Sequence, residues 1–224
     1  STIGMLMFTS RPVGDAMATT MWSMGSSWSL TALPLFVWMG EILFRTKLSE
    51  NLFKGLSPWL QKMPGGLIHV NVVGCALFAA ISGSSAATVA TVGKMSIPEL
   101  RKRKYPEKIL LGSLAGSGTL GLLIPPSIIL IIYGVAVQES IAKLFIAGII
   151  PGIMIALIFM SYVIIWSLIN KKQMPKIVEE FSFLEKVKRS KQLLPIILLI
   201  SSVIGSIYTG VATATEAASL GVVG

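Results

Sequence analysis

The sequence predicts an all-α integral membrane protein: a bundle of transmembrane helices that contains a re-entrant helical hairpin and one broken helix. Three observations predict it. The chain is 53% hydrophobic with a mean hydropathy of +0.77, and only 13% of its 224 residues are charged, about half the share of an ordinary soluble domain. Its apolar residues come in long blocks, at 109–115, 120–137, 144–169 and 193–207, and a helix needs roughly 20 such residues to cross a hydrocarbon core about 30 Å thick. Two of the apolar stretches are interrupted by residues that cannot continue a helix.

The net charge of +9 does not indicate nucleic acid, because of where the charges fall. Of the 19 Lys and Arg residues, 16 lie in three polar segments. Arg45, Lys47, Lys54 and Lys62 are in the first. Arg101, Lys102, Arg103, Lys104 and Lys108 are in the second. Seven more lie between Lys171 and Lys191. Basic residues gathered in alternate short loops are the positive-inside signature of a membrane protein. The single cysteine, Cys75, excludes an intrachain disulfide and sits in an apolar stretch as a small packing residue. The first residue is Ser1, no signal-peptide pattern opens the chain, and 216–224 runs into a helix that stops abruptly. A fragment of a longer chain is expected.

Residues 1–27 form an N-terminal segment, expected to be truncated, with Met5–Phe8 as the tail of a helix and a turn at Arg11–Pro12. Residues 28–64 hold a scaffold helix, running to Phe44 and ending at Arg45 and Lys47, and then an interfacial amphipathic helix. In the latter Leu48, Leu52, Phe53, Leu56 and Trp59 recur at helical spacing. Glu41, an acid within the span, is a functional candidate by default, but it lies four residues before Arg45 and an ion pair there is the expected role.

Residues 65–138 carry both interruptions. The apolar stretch 66–98 is broken by Ser82-Gly83-Ser84-Ser85. One helix of that length would be about 50 Å long, too long for one crossing, and its two arms are too short for two. Both outer ends abut basic segments. A hairpin that enters and leaves on the cytoplasmic side, turning at the Gly-Ser tip, satisfies all of this. His69 opens its first arm, where an interfacial role is expected, and Lys94 snorkels from its second. The stretch 108–137 contains Gly116, Gly118 and Gly121 and then Pro125-Pro126. Proline lacks the amide donor and clashes with the preceding turn, so the span is broken near its middle.

Residues 139–192 supply an ordinary span over 144–169 and a cytoplasmic amphipathic segment, with Ile177, Phe181, Leu184 and Val187 on one face and Glu179, Glu180 and Lys186 on the other. Residues 193–224 supply another span and, at Thr213-Ala214-Thr215-Glu216, a capping box that opens the next helix.

Two broken backbones in succession point to ion-coupled transport. Unwound carbonyls and hydroxyls suit Na⁺, while half-helix N-termini suit an anionic substrate. The tip offers Ser82, Gly83, Ser84, Ser85 and Thr88. The break offers Ser117, Gly118, Thr119, Gly121, Ile124, Pro125, Pro126 and Ser127. The Na⁺ ligands are expected at Ser84, Ser85, Thr119 and Gly121. Helices starting at Ser85 and Ser127 would each face an oxyanion. Small-residue runs also serve helix packing alone, but two consecutive breaks with matching basic flanks favour a site.

Three stretches then point to a family: Gly65-Gly66-Leu67-Ile68-His69-Val70-Asn71-Val72, Phe78-Ala79-Ala80-Ile81-Ser82-Gly83-Ser84-Ser85-Ala86-Ala87-Thr88, and Gly121-Leu122-Leu123-Ile124-Pro125-Pro126-Ser127. They resemble the large membrane subunit of the tripartite ATP-independent periplasmic (TRAP) transporters. Leu144-Phe145-Ile146-Ala147-Gly148-Ile149-Ile150-Pro151-Gly152 and Gly210-Val211-Ala212-Thr213-Ala214-Thr215-Glu216-Ala217-Ala218 are similar too, with Ala214 where the family usually has proline. The resemblance runs from about residue 30 to the end of the chain.

It implies a Na⁺-driven importer of organic acids, such as C4-dicarboxylates or sialic acid, working by an elevator mechanism. It implies a periplasmic substrate-binding protein and a small four-helix membrane subunit as partners. It also implies that the chain is the first of two inverted repeats, holding one Na⁺ site and half of the substrate site, and is no enzyme and needs no organic cofactor. Three alternatives stand beside it. A symporter of related architecture would need no binding protein. An intramembrane hydrolase would use Ser84 or Ser85 with His69, but about 20 Å of helix separates them. A channel would need pore charges and a filter that the sequence lacks, Thr91-Val92-Gly93 being only a fragment of one.

Overall fold

The computed structural model describes residues 12–46, 48–175 and 181–223. Among them every regular element is helical. Helix α1 (Val13–Gly25) leads through a 3₁₀ turn at Trp28–Thr31 into α2 (Ala32–Arg45). Helix α3 (Leu48–Leu60) follows, then α4 (His69–Ser82) and α5 (Ser85–Lys102). Next come α6 (Glu107–Gly118), a 3₁₀ turn over Thr119–Leu122, and α7 (Ile128–Val137). Helices α8 (Ile141–Ile169), α9 (Phe183–Ser190), α10 (Leu194–Tyr208) and α11 (Ala214–Val223) complete the fold.

Among the described residues two continuous stretches are long and apolar enough to cross a bilayer: α8, and residues 183–208, where α9 runs through a short turn into α10. The helices over 13–25 and 28–45, bent by 43° at the break between them, pass the same test only as a pair. On the outward face of α8, Ile150, Leu157, Ile158, Ile165 and Ile169 are each more than half exposed, and an apolar strip of this size is a surface for lipid or another protein, not for water.

Local chemistry sets most boundaries. The Ser84–Ser85 step reverses the chain because Gly83, at φ +60°, ends α4 in the left-handed region, where glycine carries no Cβ penalty. Its amide closes on the carbonyl of Ala79 at 3.1 Å. Ser84 then caps α5, its Oγ accepting from the Ala87 amide at 3.4 Å. Glu216 accepts from the Thr213 amide at 2.8 Å and Thr213 Oγ1 from the Glu216 amide at 3.3 Å, so α11 opens on a reciprocal cap.

Several elements differ from the sequence expectation. The second hairpin arm continues past 98 to Lys102, with Pro98 inside it; one lost amide bond does not end a helix whose neighbours hold it on both sides. Helix α1 occupies a segment for which only a truncated tail was expected, and Met5–Phe8 and Arg11 lie outside the described residues. Helix α3 does not lie alone at an interface: Leu52, Phe53 and Leu56 are buried in the main core, and Leu193 fills the space over Gly55. Of the second amphipathic segment, Ile177, Glu179 and Glu180 lie outside the described residues, and Leu184 and Val187 are exposed, at 80% and 43%. The ion pair of Glu41 with Arg45 is present at 2.8 Å. Lys94 reaches back over the ring of Phe44, 4.7 Å from its centroid.

Candidate functional site

The hairpin tip and the helix break touch through backbone. The Ile128 amide donates to the Gly83 carbonyl at 3.3 Å. A Cβ on Gly83 would lie 2.7 Å from the Pro126 carbonyl oxygen, and one on Gly121 would lie 2.8 Å from the Ser85 nitrogen and 2.9 Å from the Ser84 carbonyl carbon. A Cβ on Gly118 would collide with the side chain of Val89. Three glycines therefore let two irregular backbones meet where a side chain would hold them apart. Pro125 and Pro126, joined by a cis peptide bond, are buried beside them.

Neighbouring helices press the pair together. A Cβ on Gly40 of α2 would sit 2.9 Å from Ser82 Cβ. Gly148 and Gly152, one turn apart on α8, come equally close to the Leu123 carbonyl oxygen and to Ile124. Buried Leu120 anchors the turn between α6 and the break against Val72 and Ala79 of α4. Asn71 ties the first arm to α6, its Nδ2 donating to the Leu110 carbonyl at 3.2 Å and to Ser113 Oγ at 3.0 Å.

The oxygen atoms at this junction are of several kinds. Ser82 and Thr88 are fully buried and their hydroxyls share a hydrogen bond of 3.0 Å. Ser85 Oγ is buried with no hydrogen-bond partner, as is Ser117 Oγ. An orphaned buried hydroxyl costs about 1–3 kcal/mol unless a ligand takes it. Ser127 Oγ donates to the Leu122 carbonyl at 2.6 Å, and Thr119 Oγ1, on an exposed residue, donates to the Gly116 carbonyl at 2.7 Å. Each hydroxyl that has given its proton to a carbonyl keeps lone pairs for a cation.

Among the described residues no three His, Cys, Asp or Glu side chains gather as a metal site. The donor set is hydroxyl and carbonyl oxygen, which suits a hard cation. The first-turn amides of α5 and α7 have no acceptor within their own helices, and these two N-termini lie side by side. That supplies a positive dipole end for an anion next to the oxygen cluster.

Of the residues expected at the site, Ser82, Gly83, Ser84, Ser85, Thr88, Gly118, Gly121, Ile124, Pro125, Pro126 and Ser127 are brought to this junction. Thr119 is at its edge, with its side chain outward. Gly40, Asn71, Gly148 and Gly152 were not anticipated. The Gly148-x-x-x-Gly152 spacing was the available signal for the last two, and a lone asparagine in an apolar arm was the signal for Asn71. His69 is fully buried, with Nε2 2.7 Å from the Pro64 carbonyl oxygen. It stands at the opposite end of α4 from the serines, so the hydrolase alternative has no base.

A helical hairpin interlocked with a broken helix, among helices long and apolar enough to cross a bilayer, defines an all-α membrane protein. The chain belongs to the DctM component family of the tripartite ATP-independent periplasmic transporters, whose profile it matches over residues 1–224. It is 35% identical over 208 residues to the C4-dicarboxylate TRAP transporter large permease protein DctM of Pseudomonas aeruginosa, covering 93% of this chain and 48% of that protein. It is 35% identical over 196 residues to the sialic acid TRAP transporter large permease protein SiaM of Vibrio cholerae, covering 87% and 45%. The same identity relates it to the ectoine/5-hydroxyectoine large permease protein UehC of Ruegeria pomeroyi, covering 85% and 44%. These relatives are named as transport proteins and not as enzymes. The chain spans about half the length of the curated relatives it matches.

Proposed function

We propose that the full permease containing this chain is the large membrane subunit of a Na⁺-coupled, binding-protein-dependent transporter that imports organic acids across the bacterial inner membrane. One observation carries the coupling: Ser85 Oγ is buried and unpartnered where the hairpin tip meets Gly121. Ser84, Ser85 and backbone oxygens near Gly121 would hold the cation, with Thr119 completing the set from the edge. Na⁺ supplies the driving force, about 2.3 kcal/mol per charge per 100 mV. The adjoining N-termini of α5 and α7 would orient a carboxylate beside it.

The same interlock supports an elevator. Tip and break are joined by a hydrogen bond and by glycine contacts, so they would move as one unit, with α2, α3 and the long helices as candidates for the fixed scaffold. The family description is of a tripartite system, and a periplasmic binding protein and a small membrane subunit would be its other two components. C4-dicarboxylates and sialic acid are the first substrates to test, because relatives are named for them. Uptake by the reconstituted full complex, with and without a Na⁺ gradient, tests the reading. Uptake that ignores the gradient refutes Na⁺ coupling.

A further inference from the structure

A cavity lies away from the tip, at a basic end of the bundle. It encloses 480 Å³, and its wall includes Lys62 and Gly66 from the α3–α4 connection, Tyr105 from the α5–α6 turn, and Ser167, Leu168 and Lys171 from the end of α8. Both lysines are exposed, and neither forms an ion pair with a described residue. Tyr105 Oη accepts from the Leu67 amide at 3.1 Å, which leaves its proton free to donate to a ligand. Gly66, at φ +55°, makes this possible, since a Cβ there would strike the Tyr105 hydroxyl. This wall thus presents a tyrosine hydroxyl between two exposed lysines.

The other side of the cavity is apolar. Leu168, which lines it, is 47% exposed, and Ile165 and Ile169 beside it on α8 are 58% and 76% exposed. They continue the exposed apolar strip of α8 up to the cavity mouth. A soluble anion would use the lysines and leave this strip idle. A ligand with an anionic head and hydrocarbon tails uses both.

We propose that this cavity binds the headgroup of an anionic phospholipid, with its phosphate at Lys62, Lys171 and the Tyr105 hydroxyl and its acyl chains along residues 165–169 of α8. This does not rest on the transport reading above.

The test uses the full permease in detergent, with lipid retention read by native mass spectrometry against phosphatidylglycerol and phosphatidylcholine. The double variant Lys62→Gln/Lys171→Gln is expected to bind phosphatidylglycerol roughly thirtyfold more weakly, the effect of two near-surface cations, with phosphatidylcholine unchanged. Lys188→Gln, a surface lysine of α9, should leave binding as it was. Should the double variant lose its monodisperse melting transition, Lys171→Gln alone carries the test, with an expected loss of about fivefold. Equal retention of phosphatidylglycerol by wild type and variant would overturn the site. Displacement of the lipid by millimolar inorganic phosphate would overturn the lipid assignment in favour of a soluble anion.

Discussion

Gly83 and Ile128, 45 positions apart in the chain, are joined by a hydrogen bond from the Ile128 amide to the Gly83 carbonyl at 3.3 Å. That bond closes the hairpin tip onto the first turn of α7. It pairs a carbonyl freed at the end of α4 with an amide freed at the start of α7. The junction is built from each broken helix supplying what the other lacks.

The glycine contacts at this junction predict a packing defect with a functional signature. Gly121→Ala places a methyl group against the Ser84–Ser85 backbone, which cannot rotate away as a side chain can. The expected cost is about 1–3 kcal/mol, read as a lower melting temperature of the purified full permease. Gly83→Ala adds the left-handed penalty of about 1 kcal/mol to a contact with the Pro126 carbonyl and should be worse. Unchanged melting in both variants would mean that tip and break are not in contact.

The hydroxyls at the site should separate by environment. Ser85→Ala removes an orphaned buried group, so stability should hold or rise slightly, while the Na⁺ concentration for half-maximal uptake should rise about tenfold, the loss of one oxygen ligand worth roughly 1.4 kcal/mol. Thr119→Ala acts on an exposed hydroxyl already bonded to Gly116, and a smaller shift is expected. Na⁺ titration of uptake in proteoliposomes measures both, and equal shifts would contradict this ranking.

Asn71 predicts a coupling between the hairpin and α6. Asn71→Leu keeps the volume and removes the two bonds to Leu110 and Ser113. A loss of about 1 kcal/mol is expected, since buried side-chain bonds in membrane bundles average somewhat under that value and one here reaches a backbone carbonyl. A double-mutant cycle with Ser113→Ala isolates the Asn71–Ser113 part.

The pair of Glu41 and Arg45 predicts almost nothing. Their side chains are 51% and 77% exposed, and exposed (i, i+4) pairs are worth about 0.3–0.5 kcal/mol. Glu41→Gln should leave melting and Na⁺ dependence of uptake unchanged within error. A large effect on uptake would instead assign Glu41 a role in transport.

Much of this fold was legible in the chain because the bilayer imposes one-dimensional rules. Apolar length, the placement of Lys and Arg, and the two helix-breaking runs at 82–85 and 116–127 are local signals, and they located the spans, the hairpin and the break. The cap at Thr213–Glu216 was equally local. Most candidate site residues were also local signals, because glycine, serine and proline mark such interruptions in an apolar helix. The sequence could not tell which hydroxyls would remain unpaired: Ser82 and Thr88 bond each other, Ser85 is left alone, and Thr119 turns outward. That sorting depends on which helix lies against which. The close approaches of Gly40, Gly148 and Gly152 are of the same kind, since a glycine in a helix is only a weak residue until a neighbour's backbone arrives. The burial of α3 depended likewise on Leu193, some 140 residues further along. Apolar length and the two breaker runs therefore determined that this is a membrane chain with two interrupted helices. Tertiary packing decided that the interruptions meet, because the contact is between backbones and carries no pattern of its own in the sequence.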